Sequence, residues 1–193
     1  VANKVYKSIK LWTFYCDLEE SLGSMESTKK VYNDMLELRV ATPQIILNYA
    51  HFLQEHKFFE DSFQIYERGV NAFKFPYSRE IWTSYLTQFI ERFKGTKLER
   101  ARDLFEQVLA EAPKKEAKAF YLMYAKLEEE YGLGKRAMDV YDRAVVGVPV
   151  DERLSVYDIY VARAMEFFGV AKVRAVFESA ADATDLPSDV TKT

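Results

Sequence analysis

Two segments near the middle of the chain share one pattern of apolar and polar positions. Residues 100–113 read RARDLFEQVLAEAP, and residues 136–149 read RAMDVYDRAVVGVP, 36 residues further along. In both, apolar residues recur at steps of three and four, which predicts an amphipathic helix with one buried stripe. The stripes comprise Ala101, Leu104, Phe105, Val108, Leu109 and Ala112 in the first segment, and Ala137, Val140, Tyr141, Ala144, Val145 and Val148 in the second. The opposite face is charged, and the spacing of Asp139 and Arg143 predicts an i, i+4 pair.

The aromatic residue of this pattern recurs along the whole chain, at intervals of 34 to 39 residues. A second aromatic series precedes the first by 17 or 20 residues, and aromatics three positions earlier accompany four of its members. We expect all these rings to be mainly packing residues, because buried aromatic rings stabilise a core strongly. The first series is Tyr32, Tyr66, Phe105, Tyr141 and Phe177; the second is Tyr15, Tyr49, Tyr85, Tyr124 and Tyr160; the accompanying residues are Trp12, Trp82, Tyr121 and Tyr157.

These periods predict an all-α fold, an α-α superhelical solenoid of about five helical hairpins with roughly ten helices. Proline recurs once per repeat, where one helix should have ended and the next begins. Glycines lie between the two helical segments of four repeats, where they could adopt the left-handed conformation that ends a helix; in the second repeat we expect a turn near His56-Lys57. We predict a single array over 1–183 and a frayed tail over 184–193. The predicted repeats span about 8–42, 43–76, 77–113, 114–149 and 150–187.

Composition narrows the class of protein without identifying it. Of 193 residues, 49% are hydrophobic and 30% are charged, with a net charge of −3, which argues against a nucleic-acid binder that is basic overall. The single cysteine, Cys16, excludes an internal disulfide. The sequence begins at valine without methionine, and we expect it to be part of a longer protein.

The sequence offers no convincing catalytic or metal-binding set. His51 and His56 are five residues apart, a poor match to two ligands on one helix face, and are interpreted as ordinary surface histidines. Cys16 lies among aromatics and is interpreted as a small buried hydrophobe. Consecutive glutamates at 128–130 would point in different directions on a helix. We therefore predict that the chain is not an enzyme and has no cofactor or metal.

A basic cluster lies around the turn between the two predicted helices of the third repeat. It comprises five residues within eleven: Arg92, Lys94, Lys97, Arg100 and Arg102. The residues Gly95, Thr96 and Lys97 form an apparent insertion that lengthens this repeat, so the turn is expected to protrude. Such a cluster is typical of a solvated turn, and it is also a candidate docking patch for an acidic peptide or for RNA phosphates.

Several phrases resemble a known repeat family. Trp12, Tyr15 and Glu19 form the pattern Trp-x-x-Tyr-x-x-x-Glu in the first predicted helix. In later trailing segments, residues 65–68, 104–107 and 140–143 read IYER, LFEQ and VYDR. This pattern resembles the HAT (half-a-TPR) repeat. The longer phrases DLEESLG, ATPQIILNYAHFLQEHKFFEDSF, KLERARDLFEQ and YAKLEEEYGL resemble the Syf-type family of HAT-repeat pre-mRNA splicing factors, called XPA-binding protein two in animals.

This resemblance implies a nuclear protein-interaction scaffold in the NineTeen-associated part of the spliceosome, supporting pre-mRNA splicing. It also implies a link to transcription-coupled repair. The partners it implies are other spliceosomal proteins: a crooked-neck-type HAT protein, an Aquarius-type helicase and an Isy-type factor. No membrane partner is implied.

Two alternatives to a scaffold remain open at this point. Helical-repeat proteins can read RNA, which would require a basic stripe and a recurring polar position that reads bases. Neither feature recurs in all five repeats. The array could also be a dimerisation module, because the end faces of a helical stack can self-associate.

Overall fold

The computed structural model describes residues 8–182, and within this range the chain forms ten α-helices and no strand. The all-α prediction is therefore confirmed. The helices are α1 (Ile9–Leu22), α2 (Met25–Glu37), α3 (Pro43–Glu55), α4 (Phe59–Ala72), α5 (Arg79–Phe93), α6 (Leu98–Glu111), α7 (Lys114–Tyr131), α8 (Gly134–Gly147), α9 (Val150–Phe168) and α10 (Val170–Asp182). We call the odd-numbered helices leading and the even-numbered helices trailing.

The chain divides into two compact units, and the boundary follows Tyr85 within α5. In the first unit α1 packs against α2, and α3 packs against α4. In the second unit α6 packs against α7, α7 against α8, α8 against α9, and α9 against α10. The single array over residues 1–183 stays a prediction, and the predicted frayed tail lies outside the described residues.

Local sequence explains where several helices begin. The Ser24 hydroxyl accepts a hydrogen bond from the backbone N–H of Ser27 at the start of α2, forming half of a capping box. Thr42 caps α3 in the same way, and Pro43 occupies the first turn, where its missing N–H has no helical partner to lose. Pro113 and Pro149 directly precede α7 and α9. Pro187, the last predicted boundary, lies outside the described residues.

The hairpin turns only partly follow the predicted glycine pattern. Gly95 and Gly169 have φ values of 84° and 71°, as predicted for left-handed turn residues. The expected turn near His56 is confirmed, and Lys57 there has a φ of 68°. The left-handed prediction is wrong at Gly23 and Gly132, where φ is negative. Gly134 begins α8 instead of ending a helix.

The aromatic residues mostly form the core. Nine of the fourteen are buried: Tyr32, Tyr49, Tyr66, Trp82, Tyr85, Phe105, Tyr124, Tyr141 and Tyr160. Trp12, Tyr121 and Tyr157 are half-buried. Tyr15 and Phe177 are 43% and 55% exposed, so the packing role expected for them is not seen here. They lie on the first and last described helices, and within residues 8–182 neither ring has the stacked partner found elsewhere.

The stacked aromatic pairs follow one pattern in both units. The aromatic ring of a trailing helix stacks on the tyrosine of the next leading helix, with interplanar angles of 2° to 15°. Centroids lie 4.5 to 5.5 Å apart, a favourable separation for offset rings. The pairs are Tyr32–Tyr49 and Tyr66–Tyr85 in the first unit, and Phe105–Tyr124 and Tyr141–Tyr160 in the second.

In each stacked pair, the hydroxyl of the leading-helix tyrosine also has a recurring hydrogen-bond partner. This partner is the polar side chain of the residue that directly follows the trailing-helix aromatic. Tyr85 donates to Glu67 at 2.9 Å and Tyr160 donates to Asp142 at 2.7 Å. The same positions place Asn33 against Tyr49 and Glu106 against Tyr124. Burial, reinforced by Glu106, raises the pKa of Tyr124 to about 12, so the ring stays neutral and its hydroxyl remains a donor.

Cys16 is buried, as predicted, and its Sγ lies 3.4 Å from Sδ of Met35. Burial, with smaller effects of Glu20 and Asp17, raises the pKa of the thiol to about 12. The thiolate is the reactive form, so we expect Cys16 to react with a thiol-specific disulfide reagent at pH 8 about a thousandfold more slowly than a free thiol. Labelling kinetics with and without denaturant measure this difference. Native labelling at the denatured rate would contradict the expectation.

The raised pKa of Cys16 also makes the stability of the folded chain depend on pH. Above about pH 8.5 the unfolded chain releases the thiol proton and the folded chain keeps it. Stability from this group is therefore present below pH 8.5 and is lost as the pH rises toward 12.

Candidate partner-docking site

The predicted basic cluster surrounds the turn between α5 and α6. Arg92, Lys94, Lys97 and Arg100 are exposed, in agreement with a surface role. Arg92 lies in the last turn of α5, and Lys97 is the residue before α6. The role of the cluster as a docking site stays a prediction. Its membership needs one correction, because its fifth residue, Arg102, is buried.

Arg102 is buried and does not belong to an exposed patch. Its Nε and Nη2 atoms donate to the two carboxylate oxygens of Glu128 at 2.6 and 2.8 Å, and Nη1 donates to Glu99 at 2.5 Å. Hydrogen bonding to Glu128 raises the pKa of Arg102 above its usual value, so the guanidinium is charged. The residue lies on the side of α6 that faces α7, where it joins the two helices.

The ion pair predicted between Asp139 and Arg143 is also replaced by a contact between helices. Arg143 donates from both terminal nitrogens to Glu106, at 2.6 and 2.7 Å, instead of pairing with Asp139 on its own helix. This hydrogen bonding lowers the pKa of Glu106 below its usual value. Arginine favours this bidentate geometry, which a pair on one helix does not readily provide.

The insertion forms an ordered turn. Lys94 and Gly95 both have positive φ, and the Thr96 hydroxyl donates to the carbonyl of Phe93 at 2.7 Å. A Cβ atom on Gly95 would lie 2.9 Å from the Tyr131 side chain, so the turn is in close contact with the end of α7. The Lys97 ammonium lies 4.0 Å from the centroid of the Phe93 ring, a cation–π distance.

A groove of about 590 Å³ lies beside this turn, between α5 and α7. Ile90, Met123 and Leu127 are its least exposed apolar residues, and the charged residues along it are exposed. Sequence reasoning missed the groove, although Ile90 occupies the position that holds Glu20 and Glu129 in other repeats. The lining residues are Thr87, Ile90, Glu91, Lys94, Met123, Lys126, Leu127, Glu130 and Tyr131.

The groove is suited to binding a peptide side chain. Its base is apolar, and its rim carries both signs of charge, including Lys126 and Glu130 with their charged atoms 3.6 Å apart. Apolar pockets with a few placed charges are typical of recognition sites for side chains. Within residues 8–182 no group of three or more His, Cys, Asp and Glu residues could hold a metal ion.

Neither histidine lines the groove. His51 and His56 are both exposed, as predicted, and Nδ1 of His56 lies 2.9 Å from the carbonyl oxygen of Phe52. Among the helices that the structure describes, none is long and apolar enough to span a membrane.

Paired helices whose aromatic residues stack between successive hairpins define a helical-repeat protein. The family model for the C-terminal HAT repeat of the pre-mRNA-splicing factors Syf1 and CRNKL1 matches residues 1–193, so the chain belongs to this family. The resemblance stated from the sequence is therefore confirmed. Membership also supports the superhelical solenoid class, because HAT repeats form helical solenoids.

Similar proteins extend this assignment across distant eukaryotes. Pre-mRNA-splicing factor SYF1 of Homo sapiens is 54% identical over 180 residues, covering 93% of this chain and 21% of the human protein. The protein of that name from Dictyostelium discoideum shows the same identity and coverage. Pre-mRNA-splicing factor cwf3 of Schizosaccharomyces pombe is 45% identical over 177 residues, covering 92% of this chain and 22% of that protein. The chain thus spans about a fifth of the length of these relatives.

Proposed function

We propose that this chain is a protein-interaction scaffold that supports pre-mRNA splicing in the nucleus and has no catalytic activity of its own. The observation that carries this proposal is the family match across all 193 residues. The names of the similar proteins support the process, since each is called a pre-mRNA-splicing factor. Helical repeats support the mode of action, because they present extended surfaces to several partners.

The finer assignments belong to the same proposal. We place the chain in the NineTeen-associated part of the spliceosome, with a crooked-neck-type HAT protein, an Aquarius-type helicase and an Isy-type factor as candidate partners. A role in transcription-coupled repair is proposed on the family resemblance alone.

The geometry of the groove favours a protein ligand over RNA. An RNA reader needs a basic surface that follows the phosphate backbone. Here Arg102 is removed from the basic cluster by its pair with Glu128, and Glu91 and Glu130 line the groove beside Lys94. Carboxylates at these positions would repel phosphates, whereas an apolar peptide side chain would bury the surface of Ile90, Met123 and Leu127.

An affinity experiment in nuclear extract tests the scaffold proposal. The chain serves as bait, with and without nuclease, and bound proteins are identified by mass spectrometry. We expect splicing proteins to stay bound after nuclease treatment. If binding disappears with the RNA, direct RNA reading replaces the scaffold, and if no splicing protein binds, the proposal fails.

Reversing two charges beside the groove tests the basic cluster. We expect Lys97→Glu combined with Arg100→Glu to weaken retention of the bound proteins several-fold, because opposite charges at an interface rim would become like charges. The melting temperature should change by only a few degrees, since both residues are exposed. The control is Lys114→Glu with Lys115→Glu, two exposed lysines at the start of α7. Equal retention by both variants would refute the docking role of the cluster.

A further inference from the structure

The hairpin turns of the second unit form one continuous edge. A Cβ atom on Gly95 would lie 2.9 Å from the Tyr131 side chain, which joins the α5–α6 turn to the α7–α8 turn. A Cβ atom on Gly134 would lie 3.5 Å from the ring of Phe168, which joins the α7–α8 turn to the α9–α10 turn. We call residues 94–100, 131–136 and 167–174 together the turn edge.

The turn edge exposes several large apolar side chains. Leu133 is 64% exposed and Val170 is 58% exposed. The side chains of Tyr131, Phe167 and Phe168 are also exposed. Clustered exposed apolar side chains, unlike scattered ones, are typical of surfaces that bind another protein.

Exposed basic residues occur on all three turns of the edge. Lys135 and Arg136 are separated from Leu133 only by Gly134, and both are exposed. The first turns of α8 and α10 contain no acidic residue, and Glu99 in the first turn of α6 is bonded to Arg102. The exposed basic residues of the turn edge are Lys94, Lys97, Arg100, Lys135, Arg136 and Arg174.

We propose that the turn edge docks an acidic segment of a partner protein, one that alternates carboxylates with large apolar side chains. The apolar residues of such a segment would cover Leu133, Phe168 and Val170, and its carboxylates would face the flanking lysines and arginines. This inference rests on the proposed scaffold function and specifies the chemistry of one partner. The edge adjoins the groove between α5 and α7, and Lys94 and Tyr131 belong to both.

The side chains of the edge favour a protein segment over RNA. Tyr131, Phe167 and Phe168 expose rings, but Leu133 and Val170, the two most exposed apolar residues of the edge, are aliphatic and offer no planar surface on which a base could stack. Glu130 and Glu166 lie in the last turns of α7 and α9, beside the edge, where they would repel a continuous phosphate backbone. A peptide can place its carboxylates at separate positions and avoid both.

Site-specific crosslinking in the complete gene product tests this inference. The photo-reactive residue p-benzoylphenylalanine replaces Leu133, cells are irradiated, and the crosslinked segment is identified by mass spectrometry. We expect a protein segment that is net negative and contains Leu, Ile or Phe. Lys135→Glu with Arg136→Glu should lower the crosslink yield at least about fivefold. The control pair Lys114→Glu with Lys115→Glu, which lies at the start of α7 and outside the edge, should leave the yield unchanged.

Other outcomes overturn the inference. A crosslink to RNA, or to a basic or uncharged segment, would contradict the proposed chemistry. A yield that falls equally in both variants, or in neither, would contradict a specific role for Lys135 and Arg136. If splicing proteins co-purify but nothing crosslinks at Leu133, the turn edge is wrong and the scaffold function stands. If no splicing protein co-purifies, the scaffold function itself fails.

Discussion

Replacing Glu128 with alanine is expected to lower the free energy of unfolding by about 3–5 kcal/mol, because it leaves a buried guanidinium without its main partner. The Glu128 side chain is 1% exposed and the Arg102 side chain is 11% exposed. Two hydrogen bonds of 2.6 and 2.8 Å join them. After the substitution only Glu99 would remain on Arg102, and the Glu99 side chain is 81% exposed.

Denaturant unfolding followed by circular dichroism measures this loss, and two further variants identify its cause. Arg102→Met combined with Glu128→Leu should recover most of the stability, since apolar pairs of similar size often replace a buried ion pair at little cost. Glu99→Ala should cost less than about 1 kcal/mol, as expected for an exposed ion pair. If the double variant is as unstable as Glu128→Ala, side-chain packing and not unpaired charge is the cause.

The apolar stripes were predictable from the sequence because a 3.6-residue period shows which face of a helix is buried. All six stripe positions predicted in α8 and its following residue are buried, including Tyr141 and Val148. The periodicity could not reveal whether a given ring has a neighbour. Tyr15 and Phe177 match the repeat as well as Tyr141 does, yet both are exposed, because each lies on an outermost described helix.

The polar contacts between helices were much less predictable. Arg102 lies on the charged side of the α6 pattern, and it is buried because Glu128, 26 residues away on another helix, accepts its hydrogen bonds. Arg143 likewise pairs with Glu106 across helices. A pattern within one helix shows its apolar face and not the partner opposite each charge, so these pairs and the groove required the structure.

In each hairpin the structure explains a correlation between the trailing aromatic residue and one position in the leading helix. The position five residues after the leading tyrosine is polar where the trailing aromatic is tyrosine, and apolar where it is phenylalanine. Tyr32 donates to Glu20, and Tyr141 donates to Glu129 at 2.9 Å. Phe105 and Phe177 have no hydroxyl, and the corresponding positions hold Ile90 and Met165. A buried hydroxyl needs an acceptor, which explains the pairing.

Replacing Tyr160 with alanine should also cost about 3–5 kcal/mol of unfolding free energy, because it removes a large ring from a packed interface. Tyr160 is 1% exposed, and its ring lies 5.3 Å from that of Tyr141, nearly parallel to it. Its hydroxyl donates to Asp142 at 2.7 Å. Burial and this hydrogen bond raise the pKa of Tyr160 above its usual value, so the hydroxyl remains protonated at neutral pH.

Two companion variants separate the contributions to this loss. Tyr160→Phe keeps the stacked ring and removes only the hydroxyl, so it should cost about 1 kcal/mol in denaturant unfolding. Phe177→Ala removes a ring of the first aromatic series from a half-exposed position with no stacked partner among the described residues, and should cost less than about 1 kcal/mol. If Phe177→Ala proves as costly as Tyr160→Ala, stacking between successive hairpins is not the source of the stability. If Tyr160→Phe accounts for most of the loss, the hydrogen bond to Asp142 stabilises the fold more than the ring does, which contradicts the expected order of the two effects.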